Sequence, residues 1–279
     1  MKEVLITSGG VLASYIDFGT RLGRRDLDVT DRTAVMKACA DRKPKVIIHC
    51  AALTDLAFCE QHPDQAHLVN AVGTYHVACG ARSIGARLVY ISTSGVFDGA
   101  KKESYTEEDI PNPLNTYGHS KYLGELAVRG VLDDFLIVRT SWVFGGGKDT
   151  DKKFVGRILQ QRDAPEVRAV TDKRGSPTYA KDLAQALQTL IAEGARGIVH
   201  LGGGEATRYD VAREALTLVG SRAKVVSATS ADFASAYRSG ENESMRRSAL
   251  MRPWQEALAD YIETEWSDTV AKFDKIERL

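Results

Sequence analysis

No stretch of this chain approaches the roughly 20 consecutive apolar residues that a membrane-spanning helix needs. The apolar run within the opening MKEVLITSGG is too short for the core of a secretory signal, so a cytoplasmic protein with no membrane partner is expected. Cysteine is scarce. Cys39, Cys50, Cys59 and Cys79 form no C-x-x-C pair and no Cys/His ligand spacing, so neither a disulfide framework nor a metal centre is expected. Nor is there a surplus of one charge: 37 basic residues balance 37 acidic ones, which removes the global field that would draw nucleic acid. Any anionic ligand must be held by local groups. Internal repeats and low-complexity segments are also missing.

What is present is a rhythm. Runs dense in β-branched residues recur at Val4-Leu5-Ile6, Val46-Ile47-Ile48, Leu88-Val89-Tyr90-Ile91, Phe135-Leu136-Ile137-Val138 and Gly197-Ile198-Val199-His200-Leu201. Between them lie helical patterns over 33–42, 64–83 and 120–131. Strands alternating with helices predict an α/β fold, a Rossmann-like doubly wound parallel sheet; continuous apolar runs fit strands buried on both faces. Beyond about residue 140 the rhythm loosens. The glycine run 145–147 and Arg174-Gly175-Ser176-Pro177-Thr178 mark loops, and helices are expected over 180–194, 207–219 and from Pro253. Residues 1–145 with parts of 180–201 are expected to form the nucleotide-binding core. The remaining parts of 146–279 would form a small C-terminal substrate lobe at the sheet's carboxyl end, where open α/β sheets bind ligands.

Tyr117-Gly118-His119-Ser120-Lys121 opens the 120–131 helix, with Asn115 or Thr116 as N-cap. The four-residue spacing puts phenol and ammonium on one helical face. A free phenol titrates near about 10, and a lysine charge beside it would bring it toward working pH. The bland alternative is a surface pair in which Lys121 salt-bridges Glu125 one turn on. The strand 88–91 runs into Ser92-Thr93-Ser94, which sets hydroxyls at its carboxyl end.

With these residues the sequence resembles the RmlD-type branch of the extended short-chain dehydrogenases/reductases, the dTDP-4-dehydrorhamnose reductase family. The resemblance rests on Leu27-Asp28-Val29-Thr30-Asp31, Cys50-Ala51-Ala52-Leu53-Thr54-Asp55, Val69-Asn70-Ala71, Tyr90-Ile91-Ser92-Thr93 and Pro113-Leu114-Asn115-Thr116-Tyr117-Gly118-His119-Ser120-Lys121. Arg139-Thr140-Ser141-Trp142-Val143-Phe144-Gly145, Arg174-Gly175-Ser176-Pro177-Thr178-Tyr179 and Arg252-Pro253-Trp254 continue it. It implies reduction of a nucleotide-linked 4-keto-6-deoxy sugar by NADP(H), with NAD(H) as the alternative cofactor. Thr93, Tyr117 and Lys121 would be the catalytic set. Gly9, Gly10, Leu12, Arg24, Arg25, Asp28, Ala51, Ala52, Thr54 and Ser92 would contact the cofactor. Ser94, Trp142, Lys153, Arg174 and Pro177 would contact the substrate, and a homodimer through helices 64–83 and 120–131 is a further expectation.

The sequence departs from the family where a dehydrogenase can least spare it. The glycine loop reads Thr7-Ser8-Gly9-Gly10-Val11-Leu12-Ala13, with Ser8 and Ala13 where glycines are usual. If Phe18–Leu22 is the second strand, the intervening helix spans only about 11–17 and needs tertiary packing to persist. Ser94-Gly95 stands where rhamnose-type reductases carry Asp-Tyr, and 238–247 lacks the usual Arg-Pro, which predicts a remodelled lobe. Two alternatives to an active reductase therefore stay open. One is a non-catalytic sugar-nucleotide-binding or regulatory subunit; the other is epimerisation or dehydration on the same scaffold.

Overall fold

The protein is described here by a computed structural model covering residues 3–7 and 10–267. Its centre is a six-stranded sheet of β1 (Val4–Thr7), β2 (Thr20–Leu22), β3 (Val46–His49), β4 (Arg87–Thr93), β5 (Phe135–Thr140) and β6 (Gly197–Leu201). The spatial order is β2-β1-β3-β4-β5-β6, and every pairing is parallel. The chain leaves β1 in one direction to make β2 and resumes in the other at β3, so the order reverses between β1 and β3. A crevice at such a switch point is where this architecture receives ligands.

The apolar runs behave as strands buried on both faces. Leu5, Ile47, Leu88 and Ile137 pack against Val35 of α2 (Arg32–Arg42), Val77 and Ala81 of α3 (Gly73–Ile84) and Val128 of α4 (Thr116–Val131). Their neighbours Ile6, Ile48, Val89 and Val138 point the other way, onto Leu12 of α1 (Val11–Tyr15) and Leu183 and Leu187 of α5 (Ala180–Ala192).

Helix α1 has five residues, shorter even than the sequence suggests, and β2 starts at Thr20 rather than Phe18. Tertiary contacts hold it. Leu12 and Ala13 are buried on α5, and the Tyr15 hydroxyl donates to the Glu265 carboxylate at 2.7 Å while accepting from the Gly146 N–H at 2.6 Å. Burial of Leu12 contributes about 1.5–3 kcal/mol, enough to offset much of the nucleation cost of so short a helix.

Two further features lie outside the sequence expectation. The helix expected over 64–83 runs without interruption from Pro63 to Ile84, but it carries a π-bulge at Leu68–Val72 before α3. Two strands, Glu166–Val170 and Lys224–Ala228, pair in parallel outside the main sheet although neither stands out in the sequence. In Glu166–Val170 only Val167 and Ala169 are buried, so its charged faces hide the pattern.

The C-terminal half has its own core. The rings of Phe144, Tyr179 and Tyr261 lie 5.3–5.5 Å apart, joined by Leu258, Leu216 and Trp266. This core includes residues of α6 (Arg208–Leu218) and α7 (Trp254–Glu265). The segment 238–247 is firmly seated. Asn242 Nδ2 donates to the carbonyls of Lys101, Lys102 and Glu103 at 3.0–3.1 Å. Gly240 lies so close to Gly99, whose φ is +69°, that a Cβ on Gly240 would fall 2.4 Å from the Gly99 Cα.

Candidate active site

Tyr117 and Lys121 stand on the first turns of α4, which starts where Asn115 caps it: Asn115 Oδ1 accepts from the Gly118 N–H at 2.9 Å. The glycine between them is required. A Cβ at Gly118 would lie 2.0 Å from the Gly95 carbonyl oxygen, so only glycine lets this helix start against the turn that follows β4. That turn, Ser94–Val96, is capped by Thr93, whose Oγ1 accepts from the Gly95 N–H at 3.1 Å. The Thr93 hydroxyl also lies against the Tyr117 phenol. Thr93 and Tyr117 are thus brought together at the carboxyl end of β4, with Lys121 one helical turn on, over the ring of Tyr90 in the same strand.

Their electrostatics differ from the sequence expectation. Burial pushes the Tyr117 phenol up to about 12, opposed by its hydrogen bond with Thr93, and the nearby charge of Glu243 raises it further. Lys121 does not act as the expected pKa-lowering charge. Its side chain is buried, with Nζ 4.1 Å from the centroid of the Tyr90 ring, and burial pushes the ammonium down to about 7 while Glu125 pulls it back up. Both groups are therefore biased toward their neutral forms. A surface ion pair between Lys121 and Glu125 is excluded, because Glu125 is fully buried and taken up by Arg139 at 2.7 and 2.9 Å.

Several other candidates are placed differently from expectation. Ser92 donates to Glu125 at 2.6 Å and Ser94 to Ser141 at 2.9 Å, so both hydroxyls are turned into the interior. Leu12 belongs to the core under α1, and Pro177 is buried with its carbonyl accepting from the Gly203 N–H at 3.1 Å. Asp28 forms a turn, accepting from the backbone and hydroxyl of Thr30, which lowers its pKa. Arg174 pairs with Glu205 at 3.1 Å. Gly9 lies outside the described residues; Gly10 is the N-cap of α1.

The other candidates lie on loops and element ends. Arg24 and Arg25 are exposed just beyond β2. Ala51, Ala52 and Thr54 lie on the loop after β3, and that loop is fastened by Asn70, which accepts from the Leu53 N–H at 2.8 Å and donates to the Leu53 carbonyl and Ser120. Asn70 sits in the π-turn, a geometry that recurs at functional sites. Lys153 is exposed at the N-cap of the helix Phe154–Gln160.

Trp142 holds φ +43°, a conformation that costs of order 1–3 kcal/mol for a bulky residue and persists only when its surroundings enforce it. The indole lies on Gly175, where a Cβ would fall 2.2 Å from Trp142 Cε2. Against the ring stands a residue the sequence did not reveal: the Arg208 guanidinium carbon is 3.6 Å from the Trp142 centroid and 4.6 Å from that of Phe154. Glu243, also unanticipated, has its pKa raised by burial and lowered in turn by the charges of Arg208 and Lys173.

A doubly wound parallel sheet carrying Tyr-x-x-x-Lys beside a threonine at a strand end defines the extended short-chain dehydrogenase/reductase class. Within it, the chain belongs to the family described as RmlD substrate binding domain, whose model matches residues 16–267. A dTDP-4-keto-6-deoxy-D-glucose reductase of Streptomyces niveus is 41% identical over 200 residues, covering 71% of this chain and 68% of the relative. A dTDP-4-dehydrorhamnose reductase of Mycobacterium tuberculosis is 34% identical over 280 residues, covering 92% and 91%. Among solved structures, a dTDP-4-dehydrorhamnose reductase of Bacillus anthracis in complex with NADP superposes with a TM-score of 0.89 at 31% identity, covering 95% of this chain and all of that one.

Proposed function

We propose that the chain is an NADP(H)-dependent reductase of a nucleotide-linked 4-keto-6-deoxy sugar, with Tyr117 as the proton donor. The observation that carries this reading is the contact of the Thr93 hydroxyl with the Tyr117 phenol at the carboxyl end of β4, with Lys121 one helical turn further on α4. The Tyr117 phenol carries its proton at neutral pH and stands where it can give it to a carbonyl oxygen; the upward shift caused by burial is one that bound substrate and cofactor must offset. The Thr93 hydroxyl beside it orients the same oxygen. A nicotinamide cofactor supplies the hydride when bound.

The residues fit such a cofactor at both of its ends. A buried lysine whose contact is a ring face wants acceptors, and ribose hydroxyls provide them. Arg24 and Arg25, exposed beyond β2, stand where a 2′-phosphate favours cations. The named activities of the Streptomyces and Mycobacterium relatives, and the NADP in the Bacillus structure, support the same assignment. The short α1 favours a second reading, a sugar-nucleotide-binding or regulatory subunit without turnover, because the helix that normally faces a pyrophosphate has only five residues.

Calorimetric titration separates the two. NADPH is expected to bind in the micromolar range and more tightly than NADH, with the preference lost in an Arg24→Ala/Arg25→Ala double variant. Absence of binding at millimolar NADPH would remove the hydride donor and leave the subunit reading. A homodimer is part of the proposal. Leu68, Val72 and Tyr75 are exposed along one helical ridge, with Leu126 exposed on the adjoining α4. Two copies related by a two-fold axis would bury these ridges against each other. Light scattering should give twice the chain mass, falling toward the monomer in Val72→Glu/Leu126→Glu; a monomeric wild type refutes the dimer.

A further inference from the structure

Arg208 is held in a way that a structural arginine does not need. Its guanidinium lies against two aromatic rings, Trp142 at 3.6 Å and Phe154 at 4.6 Å, which confine it while leaving its N–H donors as its polar capacity. Among the described residues no hydrogen bond to those donors is present and no carboxylate lies within ion-pair distance. Arg174, by contrast, is engaged by Glu205, and Lys173 by the carbonyls of Ser239 and Gly240 at 2.9 and 3.1 Å.

A second cation stands close by. Lys153, at the N-cap of the helix that also carries Phe154, keeps its side chain at the surface but among crowding neighbours; desolvation lowers its pKa, Asp151 raises it, and it is near enough for the Arg208 charge to lower it as well. Asp151 beside Lys153 is engaged by the Lys153 N–H at 2.9 Å and by the Tyr261 hydroxyl at 2.9 Å, so the two cations keep donor capacity that an anion between them would use. The strained backbone of Trp142 belongs to the same device, since it presents the indole to the guanidinium. On the other side, Glu243 is near enough to act on both Arg208 and the Tyr117 phenol. The Glu243 backbone N–H donates to the Arg174 carbonyl at 2.8 Å, which seats this carboxylate on the lobe that also carries Arg208.

We infer that Arg208, packed against Trp142 and Phe154 with Lys153 on the adjoining helix N-cap, holds the diphosphate of the nucleotide-linked substrate. The inference rests on the reductase reading for its choice of substrate class and deepens it. It also assigns the main anion contact to Arg208 rather than to Arg174. An arginine there matters for shape as well as charge, because its planar fork can take two phosphate oxygens at once.

The test uses dTDP, thymidine and inorganic pyrophosphate as probes, titrated into wild type, Arg208→Met, Arg208→Lys and Arg174→Met. NADPH is titrated into each variant as a control for an intact fold. Arg208→Met is expected to weaken dTDP binding on the order of 10- to 100-fold, with NADPH affinity unchanged. Arg208→Lys should fall between the two, and Arg174→Met should cost less than Arg208→Met. Thymidine should bind alike to wild type and Arg208→Met, whereas pyrophosphate should distinguish them. If Arg208→Met binds dTDP within about twofold of wild type, the assignment of Arg208 is overturned and the reductase reading stands. If wild type binds NADPH but no dTDP, the nucleotide-linked substrate class itself is wrong, and this inference goes with it.

Discussion

Tyr117→Phe is expected to lower turnover by about 10²–10⁴-fold, the usual contribution of a positioned general acid, with little change in folding stability. The substitution removes one hydroxyl and leaves the ring that packs at the start of α4. The lost polar contact is the one with Thr93, and a single hydrogen bond of that kind is worth about 0.5–1.5 kcal/mol net. Cofactor affinity should therefore be unchanged and KM only slightly altered, with the loss concentrated in kcat. Steady-state kinetics and a thermal melt on the same preparation check this. A variant retaining more than roughly a tenth of wild-type kcat would mean that another group or solvent delivers the proton, because loss of a positioned acid should cost more than this. Lys121→Met should be comparably inactive, but through weaker cofactor binding, since its ammonium faces the ring of Tyr90 rather than the phenol.

Different parts of this site were legible to different degrees, for reasons that are local or global. Tyr117, Lys121 and the Asn115 cap could be read because helical spacing fixes where they stand relative to one another. The sheet was readable because both-face burial writes continuous apolar runs. The partners of Ser92 and Ser94 could not be read, because a run of three hydroxyls says nothing about direction. Successive residues of a strand point to opposite faces, so Ser92 is carried to Glu125 while Thr93 goes to the phenol. Arg208 and Glu243 carry no motif at all. Their meaning comes from Trp142, Phe154 and Tyr117, distant in sequence, and from the seating of 238–247 on Lys101, Lys102 and Glu103. The support of α1 was hidden for the same reason, since the Tyr15 partner is Glu265 at the far end of the chain.

Arg139→Met is expected to destabilise the fold by about 3–5 kcal/mol, the cost of leaving a buried charge without its partner. Arg139 and Glu125 are 2% and 0% exposed at the side chain and pair in a bidentate fork at 2.7 and 2.9 Å. The guanidinium also lies 5.1 Å from the Phe97 centroid, and Ser92 completes the carboxylate's coordination. For a chain of this size the loss corresponds to a fall in melting temperature of roughly 6–20 °C. Glu125→Met should cost a similar amount. The double variant Glu125→Met/Arg139→Met is expected to be more stable than either single one, since two apolar side chains leave no uncompensated charge. Thermal melts of the four proteins form the cycle that decides this, and additive single losses would show that the pair is not acting as a unit. The pair joins α4, which carries Tyr117 and Lys121, to β5, and through Ser92 to the residue before Thr93. The stabilised double variant should therefore fold well yet lose activity, with Lys121 deprived of the carboxylate that keeps its pKa from falling further. A double variant with wild-type kcat would instead make the ion pair a matter of stability alone.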